Sequence, residues 1–286
     1  MTTILETIVD PLALSVCFQP IFEIQGGAKR IDSVEALIRG PRGTRFNRAD
    51  ILFDYVRRKR AEAAVDRSCI VAICNAAQLL PPDTRVNINV HAVTLGQSSG
   101  FVEFFRRQTK ELSLSLDRFT LEIVEHAPTC NVPQLTDNII ALRDSGVRIA
   151  LDDVGLGQSN YRMMLDCHPQ YFKLDAYFVR GLAVDSKRMA VVRSLVALAR
   201  TLESTVVAEG ASSEDDLARL AELGVSLVQA NILCPALPLA ELQKAGYLQT
   251  SEALDEPLGA AMGKGFGVVN QHRVRLRRAA AQSFYT

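Results

Sequence analysis

The sequence predicts an α/β protein folded as a (β/α)₈ barrel whose first strand runs antiparallel to its neighbour. Three observations carry this. Short apolar, β-branched runs alternate with longer stretches of helical period, the rhythm of βα units around a parallel sheet. Eight such runs occur along the chain, the number that closes a barrel of this kind. The first two are joined by a short Gly26-Gly27 loop with no room for a helical crossover, so they pair as a hairpin.

In order, the predicted strands are residues 14–24, 32–39, 85–90, 118–124, 147–152, 171–174, 205–209 and 226–230. Between them lie helices with legible ends. Residues 131–145 open on Asn131 and close before Gly146, and residues 185–203 repeat Met189, Val192, Val196, Ala199 and Leu202 on one face. Ser213, with Asp216 three residues on, opens the next helix, and Gly224 ends it. The barrel accounts for residues 1–250. Residues 251–286, rich in glycine (Gly259, Gly263, Gly265, Gly267) and then basic from Arg273 to Arg278, read as a solvated tail.

Composition excludes several classes of function. With 286 residues, 48% of them hydrophobic, the chain can bury one sizeable core. Lys plus Arg equals Asp plus Glu at 32 each, so no net field draws it to a nucleic-acid polymer or an anionic membrane. No run reaches the ~18 apolar residues of a membrane span, and the N-terminus lacks a secretory pattern, which predicts a cytoplasmic protein. The six cysteines (Cys17, Cys69, Cys74, Cys130, Cys167, Cys234) contain no Cys-x-x-Cys pair and read as reduced thiols.

Chemistry concentrates at the strand ends. Strands two to eight each carry a coordinating or activating side chain there: Glu35, Asn89, Glu122, Asp152 with Asp153, Lys173, Glu209 and Gln229. In a (β/α)₈ barrel these ends converge on one mouth, where the active site lies. Taken singly, each has an ordinary reading: Glu35 or Glu122 as a solvated strand residue, Asp152-Asp153 as a turn with a helix cap, Lys173 as a surface partner of Asp175, Glu209-Gly210 as a loop start. Jointly they place five carboxylates in one pocket, where like charges raise one another's pKa unless cations are bound. An all-oxygen ligand set without His or Cys favours hard cations such as Mg²⁺, Mn²⁺ or Ca²⁺.

These residues sit in an ordered series of segments that resembles the EAL domain of bacterial cyclic di-GMP phosphodiesterases. The series runs through Gln19-Pro20-Ile21, Glu35-Ala36-Leu37 with Arg39, Asn89 before His91-Ala92, and Leu121-Glu122-Ile123-Val124-Glu125. It continues through Asp152-Asp153 with Gly155, Gly157 and Ser159, then Lys173-Leu174-Asp175, Val207-Ala208-Glu209-Gly210 and Gln229. The resemblance implies a TIM-like barrel with an antiparallel first strand, two Mg²⁺ or Mn²⁺ ions, cyclic di-GMP as substrate, linear pGpG as product, and a homodimer. It implies Glu35, Asn89, Glu122 and Asp152 around one ion, and Asp152, Asp153 and Glu209 around the other. Lys173 would stand beside the attacking water, Arg39 at a phosphate, Gln19 and Gln229 at the nucleotide, and Glu125 behind the loop after Asp153.

Four positions depart from the family's usual pattern. Val154-Gly155-Leu156-Gly157-Gln158-Ser159-Asn160 follows Asp153 in place of Phe-Gly-Thr-Gly-Tyr-Ser-Ser, and Ser212 stands where a second glutamate follows Glu209 by three residues. A hydroxyl at Ser212 suits a helix cap but does not supply the missing charge. Gly40 replaces a frequent bulky aromatic, and Gln229-Ala230-Asn231 replaces Gln-Gly-aromatic. Two readings therefore stay open: a metal-dependent phosphodiesterase with Glu35 and Lys173 at the centre of its chemistry, or a weakly catalytic or inactive module that acts as a cyclic di-GMP receptor or a protein-binding scaffold.

Overall fold

The computed structural model describes residues 3–24, 29–97, 100–124, 131–156 and 160–248. Within them eight strands close into a barrel in sequence order. They are β1 (Ser15–Glu23), β2 (Arg30–Arg39), β3 (Arg85–His91), β4 (Phe119–Val124), β5 (Arg148–Val154), β6 (Tyr171–Leu174), β7 (Thr205–Glu209) and β8 (Leu227–Gln229). β1 is antiparallel to both β2 and β8, and every other pair is parallel. The predicted strands match to within two residues at either end. The Gly26-Gly27 link, Glu125, Cys130 and the tail from residue 249 lie outside the described residues.

Around the barrel run α1 (Ile4–Ile8), α2 (Ala49–Arg58), α3 (Glu62–Ala77), α4 (Ala92–Gln97), α5 (Phe101–Glu111), α6 (Val132–Asp144), α7 (Asn160–Cys167), α8 (Ala176–Val179), α9 (Ser186–Thr201), α10 (Glu214–Glu222) and α11 (Leu239–Lys244). Side-chain caps open the helices that the sequence had marked: Asn131 accepts from the Gln134 amide, Asp185 from those of Lys187 and Arg188, and Ser213 from that of Asp216. In α9 Val192, Leu195, Val196 and Ala199 face the barrel and are buried, the spacing of one helical stripe. The described cysteines form no disulfide, and burial pushes the Cys74 thiol up to about 12, which leaves it inert.

Strand alternation divides the molecule into two interiors. Outward-facing Val86, Ile88, Val90, Leu121, Ile123, Ile149, Leu151, Phe172 and Leu174 are buried under the helices and form the main core. Inside the barrel, Ile21, Val207 and Leu227 pack together with Tyr171. At the N-terminal ends of the strands Arg85 donates to the Tyr171 hydroxyl at 3.1 Å and pairs with Asp32. The lower half of the barrel is thus filled, and the acidic residues Glu35, Glu122, Asp152 and Glu209 gather at the C-terminal mouth. Register brings Gln19 opposite Glu35, Asn89 opposite Glu122, and Glu209 opposite Gln229.

β5 breaks its pairing with β6 between Leu151 and Val154, and Asp153 there has φ 51°, a conformation uncommon for a residue with a side chain. Alternation alone would send Asp152 and Asp153 to opposite faces. The irregularity sets both at the mouth, which is a common use of bulges beside active sites.

Gly40 ends β2 for a steric reason. A Cβ there would lie 2.2 Å from the Phe46 carbonyl oxygen, so the following loop occupies the space that a side chain would need. Gly40→Ala should lower stability by about 1–3 kcal/mol through overpacking alone, read as a shift of the urea midpoint at unchanged m value.

Candidate active site

The mouth is organised around one ammonium. Lys173 on β6 is 2% exposed, and its Nζ lies 2.6 Å from Glu122, 2.7 Å from Glu209, 3.2 Å from Glu35 and 3.7 Å from Asp152. The reading of Lys173 as a surface partner of Asp175 is thereby excluded. Four strands deliver the carboxylates, and amides from two more hold Glu35: Asn89 donates to its Oε1 at 2.6 Å and Gln229 to its Oε2 at 2.6 Å. Gln229 also donates to the Gln19 side-chain Oε1 at 3.1 Å, and the Gln19 side chain in turn donates to Asn231 Oδ1 at 3.0 Å and to the Cys234 backbone carbonyl at 3.2 Å. A chain of amides therefore leads from the carboxylates to the rim.

Charge balance within the cluster is incomplete. Burial alone would push Glu35 up, but the Lys173 ammonium and the amides of Gln229 and Asn89 more than offset it and hold this carboxyl below its usual range. Burial and the charge of Glu35 drive Glu122 well above the ordinary carboxylate value, against the pull of Lys173. Glu209 is pushed up to about 8 by burial and by Asp152 and Glu35, and Asp153 to about 6 by burial, Asp152 and Asp175. Lys173 would be depressed by burial, yet Asp152, Glu122, Glu209 and Glu35 together raise it well above a free lysine. One ammonium cannot neutralise this many acids, and their mutual repulsion raises the carboxyl pKa values.

Among the described residues no three acidic, His or Cys groups surround a common point at metal-ligand geometry, because the ammonium stands at the centre. The donor set nonetheless suits a hard cation. It is all oxygen, and Asp152 Oδ1 and Glu209 Oε1 are buried without a hydrogen bond. Dications at these oxygens would supply the positive charge that one ammonium cannot.

Of the residues singled out from sequence, Gln19, Glu35, Asn89, Glu122, Asp152, Asp153, Lys173, Glu209 and Gln229 meet at the mouth. Arg39 ends β2 above them, its guanidinium donating to the Ile38 carbonyl at 3.1 Å, apart from the carboxylate cluster. Glu125 lies outside the described residues. Two residues escaped the sequence reading. Asn87, 5% exposed, donates to Glu122 Oε1 at 2.7 Å, and its position two residues before Asn89 on the same face was the available signal. Asp66 on α3, 2% exposed, accepts from the His91 amide at 3.0 Å, meets the His91 ring at 2.8 Å and takes the Thr94 hydroxyl, fixing the chain just past Asn89. Ser213 caps α10 as expected, and the Ser212 hydroxyl, instead of capping a helix, donates to Asp216 at 2.8 Å.

The family model described as the EAL domain matches residues 6–236. The chain belongs to the EAL family. RocR of Pseudomonas aeruginosa, a cyclic di-GMP phosphodiesterase, is 32% identical over 162 residues, covering 57% of this chain and 41% of its own. The cyclic di-GMP phosphodiesterase NbdA of the same organism is 31% identical over 160 residues, 56% of this chain and 20% of its own. This EAL chain thus spans less than half the length of these relatives. Among solved structures, the PaMucR phosphodiesterase with c-di-GMP superposes with TM-score 0.70 at 25% identity, over 80% of this chain and 99% of that one. BlrP1 of Klebsiella pneumoniae with manganese and cy-diGMP gives TM-score 0.70 at 26% identity, over 79% and 56%. Among the described residues no helix is long and apolar enough to cross a membrane.

Raised carboxyls give the EAL barrel a defined pH response. A carboxyl whose folded pKa exceeds its unfolded value stabilises the fold below the unfolded pKa, and that contribution is lost as pH rises through the folded one. In chelator the melting temperature should therefore fall as pH rises from the ordinary carboxylate range, with the share of Asp153 lost by about 6 and that of Glu209 by about 8. Mn²⁺ at about 100 times its Kd should add ~2.7 kcal/mol, roughly 5 to 10 °C by scanning calorimetry, with the larger gain at pH 8.

Proposed function

We propose that this chain hydrolyses one phosphodiester bond of cyclic di-GMP and releases linear pGpG, using two divalent ions, Mg²⁺ or Mn²⁺, held at the mouth. The observation that carries the reading is the convergence of Glu35, Glu122, Asp152 and Glu209 from four strands on the buried Lys173, in an EAL chain whose Asp152 Oδ1 and Glu209 Oε1 face only that ammonium. Glu35, Asn89, Glu122 and Asp152 would hold one ion, Asp152, Asp153 and Glu209 the other, with Asp152 shared. Such ions lower the pKa of bound water and neutralise charge on the attacking and leaving oxygens.

The chain's own residues do the positioning. Asn89 and Gln229 fix both oxygens of Glu35, and Asn87 fixes one oxygen of Glu122, so neither carboxylate rotates freely. Lys173 lies within 3.7 Å of Glu35, Glu122, Asp152 and Glu209, which places its amine to orient the attacking water or to take a proton from it. Arg39 presents a planar guanidinium at the rim, the group best matched to a phosphate. The filled lower barrel closes the site to water from below.

The second reading is a receptor that binds cyclic di-GMP without cleaving it, favoured by the substituted residues 154–160 and by Ser212. Incubation with cyclic di-GMP and Mn²⁺, followed by chromatography for the linear dinucleotide, separates the two. Turnover is expected. Glu35→Ala should abolish it with the fold retained by circular dichroism, whereas Lys173→Met should leave a residue of activity, about 10²- to 10⁴-fold down, the usual contribution of a proton-handling group. Binding without product in excess metal would establish the receptor instead.

A further inference from the structure

We propose that Asp216 is a positioning residue that locks together the two chain segments carrying Lys173 and Glu209. It would thereby place, one helical turn later, the negative charge that the EAL family usually places where Ser212 stands. This rests on the function proposed above.

An acid in the first turn of a helix is ordinarily a solvated partner of the helix dipole. Asp216 is in the first turn of α10 but is turned inward and only 1% exposed. Its Oδ2 accepts from the Ser212 amide at 3.0 Å, the Ser212 hydroxyl at 2.8 Å and the Gly181 amide at 3.2 Å, and its Oδ1 accepts from the Ala183 amide at 3.1 Å. Two segments distant in sequence are therefore held by one carboxylate. Ser212 lies three residues past Glu209 at the exit of β7, while Gly181 and Ala183 follow α8 at the exit of β6, the strand of Lys173. Burial would push Asp216 up, but the amides of Ala183, Ser212 and Gly181 and the Ser212 hydroxyl hold it below the usual range, so its charge is retained.

The same two exits touch directly closer to the site. Gly210 has φ 69°, and a Cβ on it would lie 2.6 Å from that of Ala176, so the chain after Glu209 presses against the chain after Lys173. The Gly210 amide donates to the Gln229 carbonyl at 2.8 Å, which ties the same loop to β8. Between these contacts lies the 2.7 Å approach of Lys173 to Glu209. Asp216 is the outer fastening of this pair of loops, and Ser212 is its hydrogen-bonding partner. Together they return a buried carboxylate to the place where the substitution at 212 removes one.

The test compares the full chain with Asp216→Asn, Ser212→Ala and the double variant Ser212→Glu/Asp216→Asn by hydrogen exchange and Mn²⁺ calorimetry. Asp216→Asn turns an amide donor toward N–H donors. Exchange should quicken about tenfold in both 177–184 and 209–213 and stay unchanged in β2 to β4, while Mn²⁺ affinity drops about 10- to 100-fold, as removal of partners behind metal ligands typically does. Ser212→Ala, which spares the carboxylate, should show the same paired pattern more weakly, and it serves as the readout if Asp216→Asn does not fold. The double variant should return affinity to near the parent's.

Quickened exchange confined to 212–216, parental Mn²⁺ affinity in Asp216→Asn, or no recovery in the double variant would overturn the proposal. Absence of Mn²⁺ binding in the parent chain would overturn the proposed function instead, and the exchange pattern would then decide the coupling by itself.

Discussion

The ion cluster at Lys173 is the constraint around which the mouth of the barrel is arranged. An ammonium and four carboxylates within 3.7 Å, drawn from β2, β4, β5, β6 and β7, would each cost several kcal/mol to desolvate if left unpaired. Every hydrogen bond to them reduces that cost, and the neighbouring inward positions are filled accordingly with amides: Asn87, Asn89, Gln229 and Gln19. The remaining imbalance cannot be relieved by hydrogen bonds, because amides carry no net charge. It is expressed as elevated carboxyl pKa values at Glu122, Glu209 and Asp153. A cluster of this composition is poorly suited to stability for its own sake, since apolar groups of similar volume would often hold the barrel as well or better.

The barrel tolerates such a cluster because its two interiors are separate. The shell of Val, Ile, Leu and Phe between strands and helices carries the stability, and the apolar contact of Ile21, Val207 and Leu227 seals the lower half. Polar residues within the mouth can then be chosen for chemistry. One departure from regular geometry is admitted there, the positive φ of Asp153, which sets two consecutive acids at the same rim.

Most of this was readable because it follows from alternation. Once β2, β3, β4, β6 and β7 are placed, the side chains at Glu35, Asn89, Glu122, Lys173 and Glu209 are committed to the barrel interior by period two, and the antiparallel first strand follows from the length of its link. Asn87 obeys the same rule and was passed over because it lies one layer below the strand end. Gly40 was read as a missing aromatic, whereas its cause is the Phe46 carbonyl packed over it, a contact between loop and strand that leaves no periodic trace. Asp216 was read only as the third residue of a helix start. Its partners Gly181 and Ala183 are 35 and 33 residues away, and no local pattern announces a carboxylate shared between two loops.

This contrast explains why departures in different parts of the chain have unequal weight. A side chain on a barrel strand has its direction fixed by register, so replacing it removes its function from the site outright. A residue on a βα loop acts through hydrogen bonds whose donors are backbone amides, and the same acceptor can be delivered from a neighbouring turn without moving the strands. The substitution at 212 is of the second kind: the serine's own amide and hydroxyl become donors to a carboxylate that arrives from α10. Sequence comparison position by position counts this as a loss, while the hydrogen bonds at the end of β7 show a buried acid still in place.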